Sequence, residues 1–581
     1  MPEHPWIFSQ PDRAKLELLR SELKLPRAAA QLLMQRGFDD ADKAHAILND
    51  APGDFADPFL IPDLEAAARR VWTAIEREER IVVHGDYDAD GISGTALLTG
   101  ALRRLGARCE PFVPDRKRDG YGVSRRLVEH AAAKDVSLLI TVDTGSSAHE
   151  ELELTRACGI DAIVCDHHLF EARPAGATYF LNPQRSDSAY PHLELCGCAV
   201  AYKLLVGIGK VAGRDIECER ELDLVALALL GDQMVITGEN RALVRAGLER
   251  LQESPRPGML ALLEVAKLTG IRLEAEDLAF QLAPRVNAAG RIASARLALD
   301  LLLTEDYATA RSLAFKLDEL NRRRREIDAR ITAEATRDAE LHHRDGRYPA
   351  GLVLASDRWE LGVVGISAAR VARKFDVPTV VLSIDGSVAT GSARSVDDFD
   401  LKAALDLCAE HLTRYGGHAA AAGMSLRADS IEAFRAAFER AAGQIPRVTK
   451  VPGLRIDAEI GLDELDADMA DFLRRFGPFA SGHPAPVFAT RGLDRLGPPR
   501  VVGTKHLKLH AGMGDAARSF IGFSLAERLL SQVELWPSLD LAYRIRYREG
   551  SSFDPWELSL VDVRSHEAAP SQQAKARKAR Q

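Results

Sequence analysis

Short apolar runs alternate with amphipathic segments between Leu64 and Leu181, and this alternation restricts the fold more than any other feature of the chain. The apolar runs have the length of strands, and the segments between them have the periodicity of helices. We interpret as strands the runs 81–83, 111–113, 136–142, 161–165 and 177–181. Strands separated by helices are typical of a doubly wound, mostly parallel sheet, so this part is predicted to be α/β.

Side chains that could bind a metal ion follow these apolar runs. They are His84, Asp86, Asp88 and Asp90 after the first run, Asp143 after the third, and Asp166, His167 and His168 after the fourth. A further apolar run, 222–230, ends in the same way at Asp232, and we group it with the strand ends. Because the carboxyl ends of parallel strands share one edge of the sheet, we expect the four acidic segments to converge.

The chemistry of these side chains indicates a metal site. Carboxylates as close as Asp86, Asp88 and Asp90 repel one another unless a cation or several donors lie among them. Histidine nitrogens with aspartate oxygens suit Mn²⁺, and Mg²⁺ is possible where oxygens dominate. The ligands suffice for two ions, which suit hydrolysis of a phosphoester or phosphoanhydride. Each segment alone could be a solvated acidic loop or a helix cap, so the convergence of four favours the site.

Composition and charge restrict the partners. The net charge of −9 argues against a protein that coats nucleic acid through bulk electrostatics, although a local basic groove is compatible with it. The densest basic cluster, Arg322 to Arg325, lies in a long polar helical pattern, 307–343, and is interpreted as a solvated face. No apolar run approaches the ~18 residues of a membrane span, and seven scattered cysteines suggest reduced thiols, so we predict a cytoplasmic protein without membrane association.

The length of 581 residues indicates several domains, since single cores stop growing near ~250–300 residues. We predict short helices at 1–63, the α/β core at 64–215, a helical region with the fourth acidic segment and a long connecting helix at 216–348, a smaller α/β domain at 349–445, a C-terminal β-barrel at 451–564, and a disordered tail at 565–581. In the barrel, Lys505, Lys508, Phe520 and Phe523 are candidates for binding a single strand, although aromatic residues of barrels more often belong to the core.

The sequence resembles a known family in an ordered series of motifs. HGDYDADG at 84–91, VDTG at 142–145, DHH at 166–168 and Gly231-Asp232 resemble the DHH phosphoesterase superfamily. PDRKRDGYGVS at 114–124, NPQRSDSAYP at 182–191, PRVNAAGR at 284–291, GSARS at 391–395 and GGHAAAAG at 416–423 resemble the RecJ family of bacterial single-strand-specific exonucleases. The similarity extends over about 64–564 and implies a DHH domain, a DHH-associated domain and an OB-fold barrel.

The resemblance also implies roles for individual residues. The implied metal ligands are Asp88, Asp90, Asp143, His167 and Asp232, with His84 as a sixth and Asp143 bridging two Mn²⁺ or Mg²⁺ ions. Asp86 and Asp166 are expected to orient the ligands. His168 is expected to contact the scissile phosphate or leaving group, with a second metal contact as the alternative. The implied substrate-binding residues are Arg116, Asn287, Arg291, His418, and Ser392 and Arg394 in a turn.

The activity implied by the resemblance is 5′ to 3′ hydrolysis of single-stranded DNA to 5′-mononucleotides, in repair and recombination. Single-strand binding protein and a RecQ-like helicase are the implied partners, and a monomer is expected. The alternatives are a phosphodiesterase for short oligonucleotides or small nucleotides, and a non-catalytic replication or repair scaffold. The chain departs from the family pattern at Gln233, at Glu360, where the family has His, and in the turn that contains His483.

Overall fold

The computed structural model describes residues 5–8, 11–49, 55–116, 118–120, 122–343, 347–396, 399–447, 453–549 and 554–566. The predicted disordered tail lies outside the described residues from position 567 onward, whereas Ser565 ends a strand. Within the described ranges, no helix combines the length and the apolar character needed to cross a membrane.

The N-terminal segment is a short strand followed by three helices. These are β1 (Trp6–Phe8), α1 (Arg13–Leu23), α2 (Arg27–Gln35) and α3 (Ala41–Leu48). The helices agree with the prediction of short helices in this segment. Their position on the C-terminal barrel, described below, has no signature in the sequence.

The core domain is the predicted α/β unit. It contains α4 (Leu64–Glu76), β2 (Arg80–Gly85), α5 (Ala89–Arg104), β3 (Arg108–Phe112), α6 (Arg125–Ala133), β4 (Leu138–Val142), α7 (His149–Ala157), β5 (Asp161–Cys165) and β6 (Tyr179–Leu181). The five strands are all parallel, in the order β3-β2-β4-β5-β6. Because β3 and β4 lie on opposite sides of β2, the strand order reverses at β2, and a crevice opens at the carboxyl ends of β2 and β4.

A helical region follows the sheet. It consists of α8 (Gly197–Ala212), α9 (Leu222–Gly231), α10 (Gly238–Glu253), α11 (Pro257–Val265), α12 (Ala275–Asp277), α13 (Ala283–Ile292), α14 (Arg296–Leu303) and α15 (Tyr307–Leu341). The apolar run 222–230, which we grouped with the strand ends, is helix α9, so that grouping was wrong. The run is buried on all sides, and a short run without periodicity does not distinguish a buried helix from a buried strand. The long connecting helix, α15, has 35 residues and is therefore about 52 Å long.

The second α/β domain contains a mixed sheet. Its elements are β7 (Leu352–Ser356), α16 (Val364–Phe375), β8 (Thr379–Asp385), β9 (Val388–Arg394), α17 (Leu401–Asp406), β10 (Arg414–Gly417), β11 (Ala421–Arg427) and α18 (Ile431–Gln444). The strand order is β10-β11-β9-β8-β7. Ser392 and Arg394 lie on strand β9 rather than in the predicted turn, because the glycine of this segment, Gly391, packs directly against the backbone of β8.

The C-terminal domain is a closed barrel. It contains β12 (Leu454–Ile456), β13 (Ala458–Glu459), α19 (Ala467–Phe476), β14 (Phe488–Arg495), β15 (Arg500–Val502), β16 (His506–Met513), β17 (Ala516–Gly522), α20 (Ala526–Val533), β18 (Ser538–Tyr547) and β19 (Trp556–Ser565). Strands β14, β18, β19, β17 and β16 form a ring that closes through the pairing of β14 with β16. A five-stranded barrel with this closure is an OB-fold, which confirms the predicted fold class.

The N-terminal segment belongs structurally to this barrel. Strand β1 pairs in parallel with β12, and the buried leucines of α1 and α2 share one hydrophobic core with the barrel strands. The side chain of Arg36 binds the carboxylate of Asp457, with Nε 3.1 Å from Oδ1. Of the two aromatic candidates in the barrel, Phe520 lies in this core and Phe523 is 59% exposed, so only Phe523 is accessible to a nucleic acid base.

Candidate metal centre and substrate cleft

The loop after β2 brings the first group of aspartates together. Asp88 caps helix α5, since its Oδ1 accepts hydrogen bonds from the backbone N–H groups of Asp90, at 3.0 Å, and Gly91, at 3.2 Å. A Cβ atom at Gly91 would lie 2.4 Å from the backbone nitrogen of Asp86, so the tight loop requires glycine there. The carboxylates of Asp86 and Asp88 approach that of Asp143, with one oxygen of each within 4.8 Å of the others.

Asp143 and Asp90 are held by the start of helix α8. Asp143 directly follows β4 and has a φ of +60°, in the left-handed region. The backbone N–H groups of Gly197 and Cys198 donate to the two oxygens of Asp90, at 2.7 and 2.8 Å. A Cβ at Gly197 would lie 2.6 Å from the Cα of Asp143. No pattern in the sequence selects Gly197, yet this residue sets the separation between the two acidic segments.

His167 connects the acidic segments to one another. Its Nε2 atom lies 3.1 Å from Asp143 Oδ1, 3.8 Å from Asp90 Oδ2 and 3.7 Å from Asp232 Oδ2. Asp232 reaches this position from the C-terminal end of helix α9. Asp90, His167 and Asp232 form one set of donors, and Asp86, Asp88 and Asp143 form another. A third group, Asp143, Asp166, His167 and His168, overlaps these sets, but its Asp166 and His168 are hydrogen-bonded to each other.

Asp166 and His168 form a hydrogen-bonded pair beside these donors. The carboxylate of Asp166 accepts from the backbone N–H of Ser146, at 2.9 Å, and from Nδ1 of His168, at 2.7 Å. Burial lowers the pKa of His168, but the hydrogen bond and the charge of Asp166 outweigh it and raise this pKa to about 9. The carboxylate of Asp166 therefore favours the protonated form of His168, which suits a contact with phosphate. This contact and the orienting role of Asp166 stay predictions.

The donors fit divalent metal ions. Burial, followed by the charge of Asp88, raises the pKa of Asp86, and burial with the charge of Asp90 raises the pKa values of Asp88 and Asp143. Asp86 Oδ1 is buried and has no hydrogen-bond partner among the described residues. Carboxylates that are buried, crowded and only partly hydrogen-bonded need a cation to remain ionised. Oxygen donors with one imidazole suit Mn²⁺, and the all-oxygen set also suits Mg²⁺.

Two expected roles differ from what the structure shows. His84, expected as a sixth ligand, lies outside both donor sets: Nδ1 is 3.1 Å from the carbonyl oxygen of Phe112, and Nε2 is 3.3 Å from that of Gly122. Both ring nitrogens face backbone carbonyls, and burial lowers the pKa of His84 to about 4, so the structure does not bring His84 to the other donors and its role as a ligand stays a prediction. Asp86, which was expected only to orient ligands, offers a carboxylate oxygen to the donor set that it forms with Asp88 and Asp143.

Arginine side chains collect beside the metal centre. The guanidinium of Arg116 lies over the ring of Tyr87, 5.0 Å from its centre. Burial and the charges of Arg116, Arg324 and Arg394 lower the pKa of Arg291 to about 10, while the charge of Asp88 opposes them. Nη1 of Arg291 donates to the carbonyl oxygen of Gly362 at 3.3 Å, so Arg291 lies between the acidic centre and the second α/β domain.

Helix α13 supports the first acidic loop directly. Oδ1 of Asn287 accepts a hydrogen bond of 2.7 Å from the backbone N–H of Ala89, at the start of α5. A Cβ at Gly290 would lie 2.2 Å from the carbonyl oxygen of Tyr87. Asn287 therefore positions the loop that carries Asp88, a role that the sequence did not indicate, and its contact with substrate stays a prediction.

Ser392 and Arg394 meet at the N-terminal end of helix α16. They are two residues apart on β9, so their side chains share one face of the sheet. A Cβ at Gly365 would lie 3.1 Å from both Ser392 Oγ and Arg394 Nη2. A hydroxyl, a guanidinium and the first N–H groups of a helix together suit a phosphate. His418 is exposed in the turn between β10 and β11, and its contact with substrate stays a prediction.

The departures from the family pattern leave the donor sets intact. Gln233 follows Asp232 with a φ of +57° and is exposed. Glu360 pairs with Arg330, at 2.7 Å, and thereby ties the second α/β domain to α15. His483 is buried, and its Nε2 donates to the carbonyl oxygen of Phe476 at 2.9 Å.

Three regions of the chain match known domain families. Residues 80–229 match the DHH family, N-terminal domain, residues 349–444 match the DHHA1 domain, and residues 456–561 match the RecJ OB domain. These matches agree with the three domains seen in the structure.

Curated relatives and solved structures extend this similarity to most of the chain. The chain is 35% identical over 551 residues to the single-stranded-DNA-specific exonuclease RecJ of Dickeya dadantii, covering 90% of this chain and 94% of the relative. It is 34% identical to the Bacillus subtilis protein of the same name over 83% of this chain, and spans 61% of that longer relative.

Crystal structures of RecJ from Thermus thermophilus show the same architecture. The structure in complex with Mn²⁺ is 28% identical, has a TM-score of 0.82, and matches 99% of this chain and 84% of that chain. The structure in complex with Mg²⁺ has a TM-score of 0.76, with 27% identity, over 99% of this chain and 82% of that chain. With its acidic centre, its arginine-lined cleft and its OB barrel, the chain belongs to the RecJ family of single-stranded-DNA-specific exonucleases.

Proposed function

We propose that this chain degrades single-stranded DNA from the 5′ end and releases 5′-mononucleotides by metal-dependent hydrolysis. The observation that carries the proposal is the arrangement of two metal donor sets beside a cluster of arginines that leads to the hydroxyl of Ser392 and the guanidinium of Arg394 on a second domain.

The chain's own residues assemble the reaction centre. When bound, two divalent ions lower the pKa of a water molecule and offset the charge on the attacking and leaving oxygens. Asp86, Asp88 and Asp143 would hold one ion, and Asp90, His167 and Asp232 the other. Asp143 would also be shared, because its Oδ1 lies 3.1 Å from His167 Nε2.

His168 and Asp166 act as a proton-holding pair next to this centre. The hydrogen bond from His168 Nδ1 to Asp166 orients the ring and favours its protonated form. A charged imidazolium can hold a phosphate oxygen and donate a proton to the leaving oxygen. Asp166 is buried, whereas the side chain of His168 is 39% exposed and so is accessible to a substrate.

The 5′ polarity follows from the site at Ser392 and Arg394. Burial lowers the pKa of Arg394, and a terminal phosphate dianion would compensate the cost of burying this charge. Arg291 lies between this site and Asp88, so a 5′-terminal phosphate bound at Arg394 would direct the next phosphodiester towards the metal centre.

The alternatives account for fewer features of the molecule. A phosphodiesterase for small nucleotides needs the first two domains but has no use for a closed OB barrel. A scaffold has no use for buried carboxylates whose repulsion destabilises the fold. Single-strand binding protein and a RecQ-like helicase as partners, a monomeric state and a cytoplasmic location are part of the proposal through the family resemblance.

Digestion of an end-labelled oligonucleotide tests the proposed function. With Mn²⁺, a 5′ label should appear at once as mononucleotide, whereas a 3′ label should remain on progressively shorter strands. Chelator and the Asp143→Asn variant should both stop the reaction. Early release of the 3′ label, or equal digestion by Asp143→Asn, would contradict the proposal.

A further inference from the structure

Arg324 differs from the other arginines of its run on helix α15. Arg322, Arg323 and Arg325 are exposed, as predicted for a solvated face, but Arg324 is turned inwards and partly buried. Its Nη2 donates to Oδ1 of Asn321 at 2.8 Å. Its Nε is buried and has no hydrogen-bond partner among the described residues. An arginine with a buried donor left unused is costly unless another acceptor reaches it.

Helix α15 carries Arg324 to the same level as Arg291. Arg285 of α13 pairs with Asp318 of α15 at 2.8 Å, and further along both helices Ile292 and Ile327 pack on one hydrophobic cluster. The two helices therefore run in the same direction. Arg291 and Arg324 each lie six residues beyond the paired residues, a rise of about 9 Å in both helices.

Arginines predominate among the charges that act most strongly on Arg291. The charges of Arg116, Arg324 and Arg394 all lower the pKa of Arg291, and Asp88 is the carboxylate that opposes them. Like charges held together in a partly buried site favour the binding of an anion.

We propose that Arg324 binds a phosphate of the DNA strand beside Arg291 and is a substrate-positioning residue of the exonuclease. This inference rests on the proposed function, and it assigns to the long helix a share of the binding site in addition to its connecting role. The anion is a phosphodiester of the entering strand, because Ser392 and Arg394 already form the site for the terminal phosphate.

A purely structural role for Arg324 makes a different prediction. Asp328, which is fully buried, raises the pKa of Arg324, although burial lowers it overall, so in a purely structural role Arg324 would only offset the charge of Asp328 within α15. Asp328 is already paired with Arg370, at 2.9 Å, and accepts from Ser367 Oγ at 3.1 Å. Loss of Arg324 would then lower stability and leave strand binding unchanged.

The test compares Arg324→Gln with Arg325→Gln, which removes the same charge from the exposed face one residue away. Binding of a fluorescent 5′-phosphorylated oligonucleotide is measured by anisotropy in EDTA, and KM and kcat are measured with Mn²⁺. We expect Arg324→Gln to raise Kd and KM about 10-fold with kcat within about 3-fold, and Arg325→Gln to change each by less than about 2-fold. For Arg324→Gln, the slope of log Kd against the logarithm of salt concentration should be smaller than that of the parent by about 0.7.

Equal Kd and KM for the two variants would overturn the inference. If Arg324→Gln melts at a lower temperature, Arg324→Lys, which keeps the charge but not the planar fork, replaces it in the comparison. Weaker binding by a lysine variant that melts like the parent supports the inference, and parental binding overturns it. Failure of the parent itself to digest DNA with Mn²⁺ contradicts the proposed function instead, so the two failures are distinguishable.

Discussion

Gly197 controls the geometry of the metal centre, and its replacement by alanine is the sharpest test of the site. Its backbone N–H donates to Asp90 at 2.7 Å, and its Cα faces Asp143 so closely that a Cβ would lie 2.6 Å from the Cα and Cβ of that residue. Ordinary contact begins at 3.4 Å, so Gly197→Ala must separate α8 from the end of β4 by about 0.8 Å.

The expected effect follows from this displacement. Asp90 and Asp143 belong to different donor sets, so a shift between them changes the spacing of the two metal positions. A misplacement of about 1 Å at a reaction centre costs about 100-fold in rate, or about 2.7 kcal/mol of transition-state stabilisation. We therefore expect kcat/KM of Gly197→Ala to fall by about 100-fold, with weaker Mn²⁺ binding.

The assay is release of labelled mononucleotide with Mn²⁺, together with calorimetric titration of Mn²⁺. Gly100→Ala is the matched control: it lies in the helix that carries Asp90, and its added Cβ would come no closer than 3.6 Å to another atom. Gly100→Ala should be as active as the parent and more stable by about 0.5–1 kcal/mol. A Gly197→Ala variant that folds, binds Mn²⁺ and turns over within about 3-fold of the parent would refute the reasoning.

Other predictions address the substrate site, the pH dependence of stability and the contact between domains. Arg394→Gln should reduce the preference for a 5′-phosphate over a 5′-hydroxyl by about 10-fold in competition digests. Its melting temperature should stay within about 2 °C of that of the parent. An unchanged preference would contradict the terminal-phosphate site. Burial lowers the pKa of His483 to about 4, so the unfolded chain, with a pKa near 6.5, takes up the proton first. The stability that His483 contributes should therefore be complete above pH ~6.5 and decline as the pH falls towards 4, by about 2 kcal/mol at pH 5. Because His84 has a similarly lowered pKa, the parent should lose more than this in total, and His483→Asn should lose about 2 kcal/mol less than the parent in urea unfolding measured at pH 8 and pH 5. Asp277→Asn removes a buried carboxylate that lies 2.5 Å from Arg546 of the barrel, and it should lower the free energy of unfolding by about 3 kcal/mol. Glu276→Gln, whose carboxylate lies 3.9 Å from the same arginine, should lower it by less than about 1 kcal/mol. Equal losses would show that burial of the ion pair does not determine its contribution to stability.

The core domain shows how far a sequence pattern can lead. Strand 161–165 was predicted with the bounds that the structure has, and the other strands of the sheet differ by a few residues at their ends. Parallel strands separated by helices have one favourable arrangement, in which the carboxyl ends share an edge. Asp88, Asp143 and His167 therefore meet as expected, because each closely follows a strand of the same sheet.

The errors arise where local sequence is compatible with two structures. The run before Asp232 is apolar at nearly every position and so has no period that identifies a helix. His84 has the residue type and spacing of a ligand, but its two nitrogens face the carbonyls of Phe112 and Gly122, which are distant in sequence, instead of the aspartates.

The α/β core, the convergence of the acidic segments at one sheet edge, and the family could all be inferred from the amino-acid sequence. These depend on local periodicity and on residues that closely follow strands, both of which can be identified in a single chain. Three features could be identified only from the tertiary structure. Asp86 rather than His84 lies among the metal donors, and Gly197 sets the spacing of those donors. Arg324 is turned inwards from the exposed face of its helix. Each of these depends on contacts between segments far apart in sequence, where a shift of about 1 Å decides which side chains meet.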